Sequence, residues 1–100
     1  FINEKDELFV NEIAPRVHNS GHLTIESYNI SQFESHVRAV CNVEPIEPKM
    51  IYAAEMQNIL GEDISKYREK EMHVNSYFHD YFKKEAKSGR KMGHITKIIT

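Results

Sequence analysis

The first fourteen residues alternate between short apolar stretches and a polar cluster. Apolar residues occupy positions 1–2 and 8–10, and polar residues occupy positions 3–7 between them. This order is typical of two β-strands joined by a turn. It predicts a β-hairpin whose second strand continues through residues 11–14. Pro15 ends that strand, because proline lacks a backbone donor and disfavours helix at the residue before it.

The next apolar pattern has helical spacing. Ser31 is a suitable N-cap, and Glu34 follows three residues later, as a capping box requires. Apolar residues then recur at i, i+4, i+7 and i+8, which predicts one apolar stripe on a helix over residues 31–41. The stripe consists of Phe33, Val37, Val40 and Cys41. Pro45 and Pro48 indicate an extended link after the helix.

The second half of the chain favours strands. Residues 51–60 contain helix-favouring residues but are also short and apolar, so this segment is ambiguous on propensity alone. Residues 63–71 are polar and predict a loop with a helical turn. Aromatic richness predicts a strand over residues 73–82, and the isoleucines of 95–99 predict a last strand after the turn at Ser88-Gly89. The predicted fold class is α+β.

Composition and charge exclude several classes of function. The chain is 40% hydrophobic and 28% charged, which indicates a folded domain. Its net charge of −2 provides no general electrostatic surface for nucleic acid. The apolar runs are too short to span a bilayer. Cys41 is the only cysteine, which fits a reducing, cytoplasmic setting. Because Phe1 stands in place of an initiator Met, we expect the chain to start inside a longer polypeptide.

Two polar groups precede residue 22. Asn11 and Glu12 follow the predicted strand and offer hard oxygen ligands of the kind that magnesium prefers. The alternative is a solvated strand end. Residues 16–21 then combine a guanidinium, an imidazole, an amide, a hydroxyl and a glycine in one loop, which suits the binding of a carboxylate or phosphate. The alternative is a polar surface loop.

Two other sets of side chains carry possible chemistry. His18 and His22 have the H-x-x-x-H spacing of some zinc sites, but the residues between them disfavour the helix that such a site needs. His36 flanks the apolar stripe and is predicted to be a packing residue. Five cations occupy the tail and could hold a phosphate or form a solvated turn. They are Lys83, Lys84, Lys87, Arg90 and Lys91.

Four motifs, taken together, resemble one family. They are NEIAPRVHNSGHLTIE at 11–26, SQFESHVRAV at 31–40, NILG at 58–61 and GRKMGHIT at 89–96. In this order they resemble the carboxyl-terminal part of the 5-(carboxyamino)imidazole ribonucleotide synthase family of ATP-grasp ligases in purine biosynthesis. The resemblance spans nearly the whole chain. The first motif is the most specific, because its composition is unusual over its whole length.

The resemblance implies a reaction and an architecture. In the family, ATP phosphorylates bicarbonate to carboxyphosphate, and the amine of 5-aminoimidazole ribonucleotide captures the activated carbon. ADP and phosphate are released, and the cofactors are ATP and Mg²⁺. Residues 1–44 would be the end of the ATP-grasp domain, and residues 45–100 a small β-rich carboxyl-terminal domain. Residues 51–60 would therefore be a strand despite their propensity, and the intact enzyme would be a homodimer.

The first motif implies roles at the reaction centre. Glu12 resembles one of two family carboxylates that bridge magnesium to the ATP phosphates, and Asn11 lies beside it at the nucleotide. Arg16 and His18 resemble the catalytic groups around bicarbonate, carboxyphosphate and the imidazole substrate. A cation at Arg16 would stabilise an acyl phosphate, and the imidazole of His18 would assist proton movement.

The resemblance also implies substrate contacts. Asn19 and Ser20 resemble further groups that bind the ribonucleotide. Lys83 and Arg90 resemble the pair that grips its phosphate, with Lys84 as a rival for Lys83. Because the family's first metal carboxylate, its glycine-rich phosphate loop and its amino-terminal domain are absent, this chain alone is expected to be inactive. Two alternatives stay open: a related ATP-grasp ligase with another co-substrate, and a non-catalytic module that binds a phosphate ligand.

Overall fold

A computed structural model describes residues 1–99 of the chain. Three short helices and three strands follow in the order α1, α2, β1, α3, β2 and β3. Two single turns of 3₁₀-helix, Asn19–Gly21 and Gly61–Asp63, lie before α1 and α3. The helices are α1 (Thr24–Ser27), α2 (Gln32–Val40) and α3 (Ile64–Arg68), and the strands are β1 (Ala54–Leu60), β2 (Ser76–Asp80) and β3 (Lys91–Ile98). Helices beside one antiparallel sheet confirm the predicted α+β class.

The three strands form one antiparallel sheet in the order β1-β3-β2. At matching register, Asn58 of β1, His94 of β3 and His79 of β2 lie in a line across the sheet. Directly opposite residues of antiparallel strands share a face. We call these three residues the polar row. The sheet therefore presents a continuous line of hydrogen-bonding side chains on one face.

The opposite face of the sheet carries the apolar core. Ile59, Ile64 and Met92 are almost fully buried together. Tyr67, Phe78, Ala86 and Ile95 pack against them. Gly93 is required where α3 and β2 meet β3, because a Cβ there would lie 2.5 Å from the backbone oxygen of His79. The core thus depends on a close approach that only glycine permits.

Helix α2 begins as the sequence predicts. The Ser31 hydroxyl accepts a hydrogen bond from the backbone N–H of Glu34 at 3.2 Å, so the predicted N-cap is confirmed. The Glu34 carboxylate instead accepts from the Arg38 Nε at 2.9 Å, a surface pair one turn along the helix. The apolar stripe of α2 stays largely exposed, since Val37 and Val40 are uncovered within residues 1–99.

The predicted amino-terminal hairpin forms only in part. A single antiparallel bridge joins Ile2 and Leu8, and the Phe1 and Phe9 rings stack at 5.7 Å. Residues 9–14 belong to no strand or helix, so the prediction that the second strand continues to Ala14 is wrong for this chain. The physical reason is that two short strands alone gain little stability, and no third strand of residues 1–99 pairs with them.

Several other predictions need shorter bounds. The strand predicted over 73–82 covers only Ser76–Asp80, because Tyr81 and Phe82 enter a turn in which Phe82 has φ of +52°. The strand predicted over 51–60 is confirmed from Ala54. His36 is exposed, so its prediction as a packing residue is wrong.

The segment between α2 and β1 is extended, as its two prolines predict, and it is fastened to α1. The Ser27 carbonyl accepts hydrogen bonds from the backbone N–H groups of Ile51 and Tyr52, at 2.8 and 3.1 Å. Asn29 and Lys49 exchange two further bonds involving the backbone. Residues 24–29 are thereby held beside the start of β1. Within residues 1–99, no helix is both long enough and apolar enough to cross a membrane.

Candidate functional site

The segment from His18 to His22, which we call the His18–His22 loop, is ordered by its own histidine. His18 is the N-cap of the first 3₁₀ turn, and its Nδ1 accepts the backbone N–H of Ser20 at 3.2 Å. The Ser20 Oγ lies 2.8 Å from the same nitrogen. Because a backbone N–H can only donate, Nδ1 of His18 is an acceptor in this arrangement. With Nδ1 engaged in the loop, Nε2 is the other ring nitrogen of an exposed side chain.

Gln32, the first residue of α2, attaches this loop to the helix. Its Oε1 accepts from the His18 N–H at 2.9 Å, and its Nε2 donates to the His18 carbonyl at 2.7 Å. The same Nε2 lies 2.6 Å from Nδ1 of His22. A Cβ on Gly21 would lie 2.5 Å from Gln32 Oε1. Glycine at 21 therefore makes room for the glutamine amide inside the loop.

Asn19 attaches the loop to the sheet. Its side-chain amide exchanges two hydrogen bonds with the Asn58 amide, at 2.8 and 2.9 Å. Lys91, at the start of β3, donates from Nζ to Asn19 Oδ1 at 3.2 Å. These contacts join residues separated by 39 and 72 positions in the chain. The structure thus places the predicted substrate contact Asn19 next to the basic tail.

The rest of the polar row forms a layer of rings beneath the loop. Nε2 of His79 donates to Glu26 Oε1 at 2.5 Å, and the His79 ring stacks on His94 at 4.5 Å. His94 Nδ1 lies 2.7 Å from the Tyr81 hydroxyl, and its ring is 5.4 Å from that of His22. Burial, followed by the neighbouring His79 and His22, lowers the pKa of His94 to about 4. His94 is therefore neutral at physiological pH.

The basic tail has one well-positioned lysine. Lys83 is half-buried, donates from Nζ to the Lys91 carbonyl at 2.7 Å and lies 5.6 Å above the Tyr81 ring. Arg90 is exposed and donates to the Glu85 carbonyl at 3.1 Å. Lys84 is exposed. Lys83 is thus beside the strand that reaches Asn19, whereas Arg90 is turned toward a neighbouring turn.

A carboxylate shapes the turn that carries Lys83. Asp80 accepts two bonds from the Arg68 guanidinium and a third from the Phe82 backbone N–H at 2.7 Å. Arg68, through this hydrogen bond, lowers the pKa of Asp80. The third bond supports the left-handed backbone of Phe82, a conformation that is costly for an aromatic residue. The turn before Lys83 is therefore supported by Asp80, which is itself paired with Arg68 of α3.

The remaining predicted residues lie apart from this cluster. Asn11 and Glu12 are exposed in the segment that forms no element. Arg16 is also exposed, donates to the Val17 carbonyl at 3.1 Å and borders an open cavity of about 460 Å³ that Gln32 also lines. Within residues 1–99, no three His, Cys, Asp or Glu side chains are placed to hold a metal ion. The structure joins Asn19 of the loop to Lys91, to whose carbonyl Lys83 donates, but leaves Glu12 outside this cluster.

Sequence reasoning missed most of the residues that hold the site together. Gln32 lies in a motif that suggests only helix packing, and its partners are 10 and 14 positions away. Asn58, His79 and His94 carry a signal only after the strands are aligned, since their register makes them neighbours. The zinc alternative at His18 and His22 meets a geometric objection, because Nδ1 of His22 faces the Gln32 amide.

The sequence is similar to two protein families and to several known enzymes. The ATP-grasp domain family matches residues 1–33, and the phosphoribosylaminoimidazole carboxylase C-terminal domain family matches residues 54–100. The N5-carboxyaminoimidazole ribonucleotide synthase of Bacillus subtilis is 44% identical over 97 residues, which is 96% of this chain and 26% of that protein. That of Staphylococcus haemolyticus is 45% identical over 102 residues, covering 100% and 27% respectively.

Solved structures agree with the sequence comparison. The Staphylococcus aureus N5-carboxyaminoimidazole synthetase complexed with ADP matches with a TM-score of 0.87 and 42% identity, over 100% of this chain and 28% of that one. The Aspergillus clavatus synthase in complex with ADP and 5-aminoimidazole ribonucleotide matches with a TM-score of 0.86 and 38% identity, over 99% and 28%. The chain spans about a quarter of the length of these relatives. The resemblance is confirmed, as is the order of an ATP-grasp end followed by a small carboxyl-terminal domain. The domain bounds 1–44 and 45–100 stay a prediction.

Proposed function

We propose, from the match between this chain and the carboxyl-terminal part of the N5-carboxyaminoimidazole ribonucleotide synthase family, that it supplies one wall of that ligase's active site. The observation that carries the proposal is the junction of the His18–His22 loop with the basic tail through Asn19 and Lys91. Asn19 follows His18, one of the residues predicted for carboxylation, and Lys91 belongs to the basic tail that also includes Lys83 and Arg90. The whole enzyme would convert 5-aminoimidazole ribonucleotide, bicarbonate and ATP into 5-(carboxyamino)imidazole ribonucleotide, ADP and phosphate.

In this proposal the reaction has two steps. A bicarbonate oxygen attacks the γ-phosphorus of ATP, so that ADP leaves and carboxyphosphate forms. The exocyclic amine then attacks the carboxyl carbon, phosphate leaves, and one amine proton is lost. Arg16 would neutralise the acyl phosphate, and Nε2 of the exposed His18 ring would contact the reacting amine or carboxyl group. Asn19 and Ser20 would orient the ribonucleotide, since positioning is the main demand of phosphoryl transfer.

The basic tail would hold the ribonucleotide phosphate. Lys83 is favoured over Lys84, because Lys83 is half-buried and its ammonium group donates to the carbonyl of Lys91, the residue that reaches Asn19. Arg90 precedes Lys91 and offers a planar fork suited to phosphate, although its present bond to the Glu85 carbonyl would have to be exchanged. Cations near the start of β3 would bind the sugar phosphate, while the imidazole ring of the substrate lies near His18.

Magnesium would be held only partly by this chain. Glu12 is an exposed carboxylate with Asn11 beside it, and magnesium is commonly bound by one or two carboxylates together with substrate phosphates. These residues therefore fit one side of a metal site, with nucleotide oxygens and other parts of the enzyme as the remaining ligands. When bound, the ion would neutralise the phosphate charge of ATP.

Further features of the whole enzyme are part of the same proposal. Bicarbonate would be the carbon source, the intact enzyme would be a homodimer, and it would act in the cytoplasm. Residues 1–44 would close the ATP-grasp domain, and residues 45–100 would form the carboxyl-terminal domain. The fastening of residues 49–52 to α1 would keep the two parts in a fixed relation, as a site shared between them requires.

A chimera tests the proposed function directly. This chain would replace the corresponding carboxyl-terminal quarter of the Bacillus subtilis relative, and ADP release would be measured with both co-substrates. Arg16→Ala should lower the rate about 10²–10³-fold, the loss typical of removing one group that stabilises developing charge. Arg38→Ala, which breaks a surface pair on α2, is the matched control and should leave the rate unchanged.

The same chimera separates the alternatives. Equal rates for Arg16→Ala and the parent would contradict the proposal. Activity with formate in place of bicarbonate would indicate a related ATP-grasp ligase. If the chimera folds but shows no turnover, while the isolated chain binds a ribonucleotide phosphate in calorimetry through Lys83, the non-catalytic binding module would replace the ligase.

A further inference from the structure

Gln32 has its whole side-chain amide committed within the site. The Oε1 atom accepts the His18 N–H, so the other end of the amide must be the NH₂ group. Its two hydrogens point to the two remaining neighbours, the His18 carbonyl at 2.7 Å and Nδ1 of His22 at 2.6 Å. A flipped amide would place two oxygens against each other at His18. The orientation of Gln32 is therefore fixed by three partners.

The backbone of Gln32 is fixed as well. Its N–H donates to Thr24 Oγ1 at 2.9 Å, and the Thr24 hydroxyl donates to the Gly21 carbonyl at 2.5 Å. The N-cap at Ser31 sets the start of the helix immediately before it. Both ends of the Gln32 side chain are consequently held by the elements they join. Such support makes a side chain suitable for positioning another one accurately.

This geometry determines the state of His22. Because the Gln32 NH₂ group can only donate, Nδ1 of His22 must accept, and the ring proton is left on Nε2. A second proton on Nδ1 would face the amide hydrogens directly. Burial, followed by the charge of Lys91, also lowers the pKa of His22. The ring is thereby kept neutral, between the rings of Phe33 at 5.1 Å and His94 at 5.4 Å.

We infer that Gln32 is a positioning residue that locks the backbone of His18 and fixes His22 as its Nε2–H tautomer. The part of this inference that concerns catalysis rests on the proposed function, whereas the part that concerns the tautomer does not. Gln32 acts by clamping both backbone groups of the residue that presents its imidazole to the substrate. His22, as the neutral last residue of the loop, keeps a positive charge away from the polar row.

Glutamate at position 32 separates this role from simple packing. Gln32→Glu keeps the size and shape of the side chain but removes both donors. A carboxylate would then repel the His18 carbonyl and attract a proton onto Nδ1 of His22. The matched control is Gln57→Glu, the same change at an exposed position of β1. A purely steric role for Gln32 predicts that the two variants behave alike.

Histidine nitrogen NMR on the ¹⁵N-labelled chain is the first test. In the parent and in Gln57→Glu, His22 should show a protonated Nε2 and an unprotonated Nδ1. In Gln32→Glu the pKa of His22 should rise by about 1–3 units, as an adjacent opposite charge produces. A protonated Nδ1 in the neutral parent ring would overturn the inference. If Gln32→Glu does not fold, the parent spectrum and slowed exchange of its His18 amide hydrogen still decide it.

Kinetics in the chimera form the second test. Gln32→Glu should lower kcat/KM for 5-aminoimidazole ribonucleotide about 10²-fold, the loss expected when a reacting group is misplaced by about 1 Å. The KM for ATP should stay unchanged, because Glu12 lies apart from the loop. An unchanged kcat/KM in an active chimera would overturn the catalytic part. If the parent chimera is inactive, the proposed function fails while the tautomer result stands on its own.

Discussion

The His18–His22 loop and the preceding Asn11–Arg16 segment belong to one motif but differ in how they are held. The loop is bonded to α2 through Gln32 and to β1 and β3 through Asn19. The Asn11–Arg16 segment is almost entirely exposed and belongs to no element of residues 1–99. One half of the motif is therefore attached to a helix and to two strands, and the other half is exposed.

This contrast shows how the work of the proposed site is divided. The half that would hold the ribonucleotide is supported by side chains of the same chain. The half that would face ATP and magnesium offers an exposed carboxylate and guanidinium. In the proposal, the carboxylate and the guanidinium bind ATP and magnesium only together with the other residues of a nucleotide site. Four measurements test this difference.

The largest difference should appear when an isoleucine is truncated in the sheet that holds the loop and another in the Asn11–Arg16 segment. Ile59, next to Asn58 on β1, is 2% exposed, whereas Ile13 is 86% exposed. Ile59→Ala should lower the free energy of unfolding by about 2–5 kcal/mol, and Ile13→Ala should change it by less than about 0.5 kcal/mol. Urea unfolding of the chain measures both. A comparable loss for Ile13→Ala would show that the amino-terminal segment is packed after all.

The next effect is a loss of folding stability in acid, which should arise in the polar row beside the His18–His22 loop. The pKa of His94 is about 4 in the folded chain, against 6.5 for an ordinary histidine. The unfolded chain therefore binds more protons between these values, and stability should fall as the pH drops from about 6.5 toward 4. The expected loss is about 3 kcal/mol.

Thermal unfolding between pH 4 and pH 7 measures this dependence. His94→Gln should flatten the profile, because glutamine does not titrate. His36→Gln, a change at an exposed histidine of α2, should leave the profile as it is. A parent whose melting temperature is constant across this range would show that His94 is not held neutral by burial.

A smaller effect should follow from releasing the loop from the sheet. Asn58→Ala removes both bonds to Asn19 and should cost about 1–3 kcal/mol of stability, since a partly buried amide loses its partner. Gln57→Ala, at the neighbouring exposed position, is the control. In a double-mutant cycle with Asn19→Ala, additive losses would mean that the two amides do not interact.

The smallest stability effect should accompany a large functional one. Glu12→Ala should change the free energy of unfolding by less than about 0.5 kcal/mol, because the carboxylate is exposed. In the chimera the same change should abolish most ADP formation, if Glu12 contributes to the magnesium site. Retained ADP formation would show that Glu12 does not contribute to the magnesium site. A large loss of stability would show that its side chain is packed and not exposed.

Local signals predicted much of the fold. The Ser31 cap and the spacing of apolar residues gave α2 within one residue at each end. The β1 strand was predicted by resemblance against propensity, because its first residues favour helix. Pairing with β3 on one side overrides that preference. The hairpin of residues 1–14 was predicted from a local pattern, but a local pattern does not reveal whether a third strand is available.

The site was less predictable than the fold. A dense loop of arginine, histidine and asparagine is visible in the sequence, and the motifs supply its proposed roles. The supporting contacts are not visible, because Asn19 and Lys91 are 72 positions apart. The turn at Phe82 could not be predicted either. No local sequence signal indicates its left-handed backbone, which the Asp80 carboxylate supports by a hydrogen bond.

The strand order β1-β3-β2 has a consequence for how the chain is made. The central strand is synthesised after both of its neighbours. Until β3 leaves the ribosome, β1 and β2 have no partner in the sheet, and their open edges can pair with other chains. The lysine that bonds Asn19 belongs to the same late strand. Sheet and site should therefore assemble in one late step, and a chain interrupted before β3 should be prone to aggregate.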